Sequence, residues 1–405
     1  MEFIISLYPL ILDWLDLIVR WIHIIVGIAW IGTSFYFNWL DSRLDRDIEN
    51  KDIDGELWSV HSGGFYHINK LKGPPKKFPK ELHWFKWEAY TTWISGFALL
   101  IIIYYLNAES IMIDKNVNDI KPFTAIIISL SFLAASWLIY DYMCKSNLIN
   151  NTILFSIICL IIAIIISYLL TKIYGSRAAY IHVGASLGTI MAANVFRVII
   201  NTQKNMVDAA LANKEPDLKK GLSAKIRSIH NNYLTLPVLF IMISSHFPFT
   251  YGHKYNWLIL AIISIIGASV RHYFNLRNKK QYNVWILPMA TIGMISLMLY
   301  VSIPKINLIK QDVNINEEIT FSEIQNIIDY RCTVCHASKP TFEGFEYPPL
   351  GIIFDTPADI IKNINKIKAQ AIDSDVMPPA NLTGMTESER NKIRLWINLG
   401  ANINN

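Results

Sequence analysis

Five consecutive residues carry the most specific chemistry in this chain: Cys332-Thr333-Val334-Cys335-His336. Two thiols three positions apart can add across the two vinyl groups of a haem, and the histidine that follows reaches the iron as proximal ligand. A zinc half-site or a redox dithiol shares part of this pattern, so the flanking sequence has to decide. Residues 319–331 predict a short helix with Ile324, Ile327 and Ile328 on one face. Residues 386–399 predict a closing helix, with Thr386 and Glu389 as a capping box and Ile393, Trp396 and Ile397 as its apolar stripe. Between them stands Met377-Pro378-Pro379. A thioether held in a proline-stiffened loop suits a second axial ligand, and His/Met ligation raises a haem's potential. The expectation is one covalent haem c on Cys332 and Cys335, with the iron held by His336 and Met377.

Chemistry of a second kind lies in apolar surroundings, and it depends on what positions it. The chain has 405 residues, 52% of them hydrophobic, too many for an ordinary soluble protein. Charge-free runs occupy 21–40, 89–108, 122–140, 146–171, 178–196, 228–253, 255–270 and 281–304. Most are near the roughly 20 residues with which a helix crosses a bilayer. The predicted fold is therefore all-α: an eight-span membrane domain over 1–303, a linker over 304–318, and a class I-like monohaem cytochrome c domain over 319–405. The first run has no basic flank or small-residue cleavage site and reads as a retained helix. Cys144 and Cys159 lie in or beside spans and read as small buried hydrophobes.

Charge orients the bundle. Residues 311–405 hold 8 Lys/Arg against 13 Asp/Glu, a balance of −5; the whole chain is +5, so residues 1–310 carry +10. That excess is scattered through loops, which excludes a nucleic-acid surface and fits a lipid one. The 41–88 loop alone holds nine Lys/Arg, whereas the three loops on the opposite side hold five together. The positive-inside rule then places both termini and the cytochrome segment outside the cytoplasm. Haem attachment in bacteria also occurs outside, which agrees.

Ionisable groups inside spans are costly and point to function. By depth, His23, His182 and His246 fall in the outer half. Arg271, His272, His230 and Asn231 fall toward the inner face, near Asn194, Asn232, Tyr233 and Asn275. Arg20 has a local partner in Asp16 at i−4.

Several long runs resemble one family. They are RWIHIIVGIAWIG at 20–32, GGFY at 63–66, LHWFKWEAY at 82–90, YIHVGA at 180–185 with AAN at 192–194, HNNYLTLP at 230–237, RHYFN at 271–275, and MPP at 377–379 with LTGMT at 382–386. Together they resemble the bacterial membrane-bound, cytochrome c-linked urate oxidase (urate hydroxylase) family. Ser62 and Arg197 depart from its pattern, so Arg197 inherits no role. The resemblance implies oxidation of urate to 5-hydroxyisourate in purine degradation, at the bacterial inner membrane. It implies that electrons leave through the haem c to a respiratory acceptor, a soluble cytochrome c or a terminal oxidase, without hydrogen peroxide.

Urate is a planar anion, so its site needs a cation, amide-type hydrogen-bonding groups and an apolar slot. The inner group around Arg271 has that inventory, with His230 or His272 as proton acceptor. Urate releases two electrons and one haem takes one at a time. A second haem b, ligated by His23 with His182 or His246, would buffer them. Other readings stay open: a membrane dehydrogenase for quinol or another small metabolite, an electron-transfer subunit without catalysis, or a transporter with a haem sensor.

Overall fold

In hydrocarbon every backbone amide must be satisfied within the chain, so apolar runs become helices whatever their residues prefer in water. The computed structural model describes every residue except 1, 76, 116, 313–318, 343–346, 375 and 404–405. Helix α1 spans Glu2–Arg43 and runs through the first expected span. A two-stranded hairpin follows, β1 Ile53–His61 and β2 Gly64–Leu71. Then come α2 Trp87–Leu99, continued by a π-helical turn Leu100–Tyr105, α3 Pro122–Lys145, and α4 Thr152–Leu170. Helix α5, Ser176–Ala193, passes through a π-helical turn into α6, Ile200–Leu211. Helices α7 Leu218–Ser244, α8 Pro248–Tyr251, α9 Asn256–Asn278 and α10 Ile286–Asp312 complete this part.

Among the described residues, five helical stretches are long and apolar enough to cross a membrane: Leu10–Arg43, Pro122–Lys145, Thr152–Leu170, Ser176–Leu211 and Asn256–Asn278. Ile286–Ser302 is shorter but equally apolar in kind. Helix also covers most of the two other expected stretches, in α2 with its π-helical turn and in α7. Several helices outrun the charge-free runs that predicted them. Such a run measures the hydrocarbon it can cross, while the helix itself goes on until a cap or turn stops it. Ile153, Ile157, Ile161 and Ile165 of α4 form an exposed row with a four-residue spacing. An apolar face of that kind belongs against lipid. Within the bundle, Gly184 of α5 lets Ile241 of α7 come close: a Cβ there would lie 2.6 Å from the Ile241 methyl.

One expectation needs correction. The 41–88 segment was read as a loop within an all-α chain, yet it contains the antiparallel hairpin, so the fold is mostly helical with one small sheet. Ser62 and Gly63 both have positive φ, +50° and +76°, as a type I′ turn requires. The strands carry the β-branched and aromatic residues that suit this, and Trp58 stacks on its cross-strand partner His67 at 4.1 Å. Helix α10 continues to Asp312 through the first part of the expected 304–318 linker, and 313–318 lie outside the described residues.

The C-terminal segment has its own core. Helices α11 Phe321–Arg331, α12 Thr333–His336, α13 Pro357–Lys362, α14 Ile364–Ile367 and α15 Glu387–Asn398 pack around Ile324, Ile328, Ile360, Ile393 and Trp396. The capping box of Thr386 with Glu389 is formed as the spacing predicts, and Thr320 with Glu323 makes a second at the start of α11.

Candidate functional site

Chain geometry places the first candidate centre at the junction of α11 and α12. Cys332 ends α11 and Cys335 and His336 fall on the next turn, so the spacing itself brings all three to one side. The His336 ring nitrogen Nδ1 lies 3.0 Å from the Ile352 carbonyl. A carbonyl only accepts, so Nδ1 carries the proton and Nε2 presents a lone pair. Burial lowers the His336 pKa, against the opposing Ile352 bond, and so favours the neutral form a metal ligand needs. Phe354 packs on the ring at 5.2 Å. Burial pushes the Cys332 thiol up to about 12 and raises Cys335 as well. Neither has the low pKa of a redox dithiol, and the two are not disulfide-bonded. Among the described residues no group of three or more His, Cys, Asp or Glu is arranged to hold a metal ion.

Met377 packs against the same core as Cys332 and Ile352. Its backbone is pinned twice: its N–H donates to the Gln370 carbonyl at 2.8 Å, and its carbonyl accepts from Arg390 Nη1 at 2.9 Å. Arg390 also donates to the Ala371 carbonyl and is buried. Arg331 braces the other side through Glu389, 3.0 Å away, and the Thr383 carbonyl. The two axial-ligand candidates thus stand on separately braced segments around one apolar core.

The inner group divides in two. Arg271 is 6% exposed, and its Nε donates to Asn232 Oδ1 at 2.7 Å. Its guanidinium lies 3.7 Å from the centre of the Phe35 ring, a cation–π contact. Asn275 Nδ2 donates to the same Asn232 oxygen at 3.0 Å. Asn232 Nδ2, Asn275 Oδ1 and Asn38 Oδ1 are all buried without a hydrogen-bond partner. Asn232, Asn275 and Asn38 line a cavity of about 1240 Å³, whose wall also includes Trp30, Ser34 and His83.

His230 and His272 face elsewhere. They line a second cavity of about 780 Å³, mostly apolar, between α3, α4, α5, α7, α9 and α10. Tyr140 accepts from Asn194 Nδ2 at 3.2 Å and can donate to His230 Nδ1 at 2.8 Å. Tyr233 pairs with His272 Nδ1 at 2.6 Å and touches both cavities. Asn231 borders the first cavity, but its side chain is committed to Asn194 at 2.9 Å and to the Met191 carbonyl at 2.9 Å. Equal depth did not mean a shared face, because consecutive helical residues point about 100° apart.

Sequence reading missed the most deeply buried charge. Arg227 is 2% exposed; it bonds Asp141 at 2.7 Å and Asn194 at 3.0 Å and lies over the rings of Trp137 and Tyr140. It stands at the edge of a basic loop, where spacing gives no hint of burial. Asn38 was also missed, although an amide inside the first apolar run was a usable signal.

Of the outer histidines, His182 is buried, with Nδ1 donating to the Ala178 carbonyl at 2.7 Å and Nε2 left without a partner. Tyr174 stacks on its ring at 4.7 Å and Tyr104 meets it edge-on at 5.9 Å. His23 sits in the α1–α2 seam, with Nδ1 3.0 Å from both the Thr92 carbonyl and Ser95 Oγ. Among the described residues no hydrogen bond or ring contact joins His23 to His182. His246 is exposed in the turn between α7 and α8. Arg20 is held by both carboxylate oxygens of Asp16 at 2.7 Å, the local pair its spacing predicts.

No curated protein and no solved structure matches the chain. A family model does, the Urate oxidase N-terminal family, over residues 9–302, which takes in both inner cavities and stops short of the Cys332–His336 motif. The match spans well over half of the chain, and the protein belongs to the Urate oxidase N-terminal family.

Proposed function

We propose that the protein is a membrane urate oxidase that converts urate to 5-hydroxyisourate and delivers the electrons to a covalently bound haem c. The observation that carries this reading is the buried Arg271 bonded to Asn232, whose own unpaired amide nitrogen lines a cavity together with the unpaired oxygens of Asn275 and Asn38, in a chain of this family. Each unpaired buried polar group costs on the order of 1–3 kcal/mol, a cost that a ligand with complementary edges would offset. Urate supplies such edges. Its anionic charge suits the planar Arg271 fork; its carbonyls suit Asn232 Nδ2, and its ring N–H groups suit Asn275 Oδ1 and Asn38 Oδ1. Trp30 provides an aromatic wall, and Phe35 lies against the Arg271 guanidinium. His83, on the same wall, is placed to take a proton.

The overall reaction is balanced: the urate monoanion and one water give 5-hydroxyisourate, one proton and two electrons. No peroxide is required. Cys332 and Cys335 would hold the haem covalently and His336 and Met377 would hold its iron; the group would supply one-electron chemistry toward a soluble cytochrome c or a terminal oxidase. His336 fits that role because Nδ1 is held by Ile352, leaving Nε2 for the iron. From Asn256 to Arg271 is about 22 Å along α9, so an intermediate carrier in the bundle belongs to the proposal. His182, buried with an unpartnered Nε2, is its first candidate ligand, with His23 as the second. The reading places the protein in a bacterial inner membrane as an eight-span bundle, with the cytochrome segment outside.

Urate added anaerobically to the purified protein should reduce the haem, and urate oxidation in air should give no peroxide. Absence of haem reduction by urate, with a quinol succeeding, would favour a second reading. That reading, a membrane quinol dehydrogenase, draws on the apolar 780 Å³ cavity and its two Tyr–His pairs.

A further inference from the structure

Residues beside Met377 contact the membrane part directly. Val376 packs against the buried cluster of Tyr104, Tyr174, Tyr180 and Tyr251 at the outer end of the bundle. This is the cluster in which His182 is stacked on Tyr174. Two residues earlier, Ser374 is buried and presses on the end of α8, where a Cβ on Gly252 would lie 2.8 Å from the Ser374 Cβ. Ser374 is itself held by hydrogen bonds from its Oγ to the Ala369 and Gln370 carbonyls, and Met377 N–H donates to Gln370 as well. The short turn Pro379–Asn381 also packs against the π-helical turn Ala108–Met112. Thus the segment bearing one axial-ligand candidate is the segment that seats on the bundle, whereas His336 lies on α12.

We propose that this seat is the port through which electrons enter the cytochrome segment, and that Val376 and Gly252 are its positioning residues. The inference rests on the urate oxidase reading above. Electron transfer between buried centres falls steeply with separation. A contact that seats Val376, the neighbour of Met377, on the outer aromatic cluster shortens the last step. One electron leaves the bundle and one arrives at the haem in each step, and two steps account for one urate. A glycine at 252 then has a physical reason, since any side chain there would lever Ser374, and Met377 with it, off the seat.

Two measurements on the full-length, haem-loaded protein test this. First, Ser374→Cys, buried in the seat, should resist a water-soluble maleimide and become reactive once Gly252→Leu is added; rapid labelling of the single variant would overturn the docking. Second, Gly252→Leu should slow substrate-driven haem reduction by about tenfold or more, the scale on which small misplacements cost rate. Val376→Asp, which puts a charge on the same apolar seat, should do the same. Covalent haem staining, the haem spectrum and reduction by ascorbate should stay as in the parent. Unchanged substrate-driven rates in both variants would overturn the proposal. The donor is urate if urate reduces the parent protein. If only a quinol does, the urate reading has failed while the same comparison, run with quinol, still decides the seat.

Discussion

Cys332, Cys335 and His336 lie within five residues of one another and are brought together by a single turn, whereas Arg271, Asn232, Asn275, Phe35 and Asn38 come from three helices. Backbone geometry alone assembles the first centre. The second exists only if α1, α7 and α9 pack in the right rotation, since turning α7 by two residues would aim His230 where Asn232 now stands. The first centre is therefore robust to changes elsewhere in the fold, and the second depends on the packing that brings its helices together. That packing includes its own buried charge, the Arg227–Asp141 pair, which ties α7 to α3 beside the second cavity.

The largest expected effect breaks the local centre. Replacing Cys332 and Cys335 together by Ala should abolish the haem that survives denaturing electrophoresis, and retained staining would remove haem c from the account. Next comes the packing of the distributed one. Asp141→Leu strands the Arg227 guanidinium in the bundle, and breaking a buried pair costs about 3–5 kcal/mol. A thermal melt in detergent should show a large drop in midpoint, and a parent-like melt would mean that Arg227 finds solvent. Since Asp141 also bonds the exposed Lys145 at 2.6 Å, Lys145→Ala serves as a control that should leave the midpoint nearly unchanged.

Arg271→Gln sharpens the comparison at the ligand. Losing hydrogen bonds to a charged group costs about 1.5–3 kcal/mol, so the urate KM should rise roughly ten- to hundredfold while the haem spectrum stays the same. His230→Gln, facing the other cavity, should leave that KM close to the parent value. If His230→Gln raises KM as much as Arg271→Gln does, the two cavities act as one site.

The smallest effects lie at the caps of the C-terminal segment. Thr386→Ala removes the N-cap of α15 and should cost about 1 kcal/mol in unfolding monitored at the haem. Glu389 of the same box is held below the usual glutamate range. Burial works against that shift, but the Thr386 backbone bond and Arg331 outweigh it. The sign follows: a depressed carboxylate stabilises the fold above the ordinary glutamate pKa, and the gain is lost as pH falls through that range toward the folded value. Glu389→Gln should flatten this acid-side slope, and an unchanged slope would assign the acid sensitivity to other groups.

Sequence by itself determined what depends on neighbours along the chain. The C-x-x-C-H spacing, both helices around it, the Thr386–Glu389 box, the Asp16–Arg20 pair and most of the apolar helices were legible, because a helix repeats every 3.6 residues and a cap reaches three. Even the hairpin has a local signal in the Gly63-Gly64 pair at its turn. Tertiary structure decided what depends on rotation and burial. It sent His230 and His272 to one cavity and Asn232, the partner of Arg271, to another, and it buried Arg227 while leaving His246 exposed. It also seated Val376 on the bundle. Hydropathy along a span gives depth to within a turn but carries almost no information about azimuth, and azimuth determines which side chains meet.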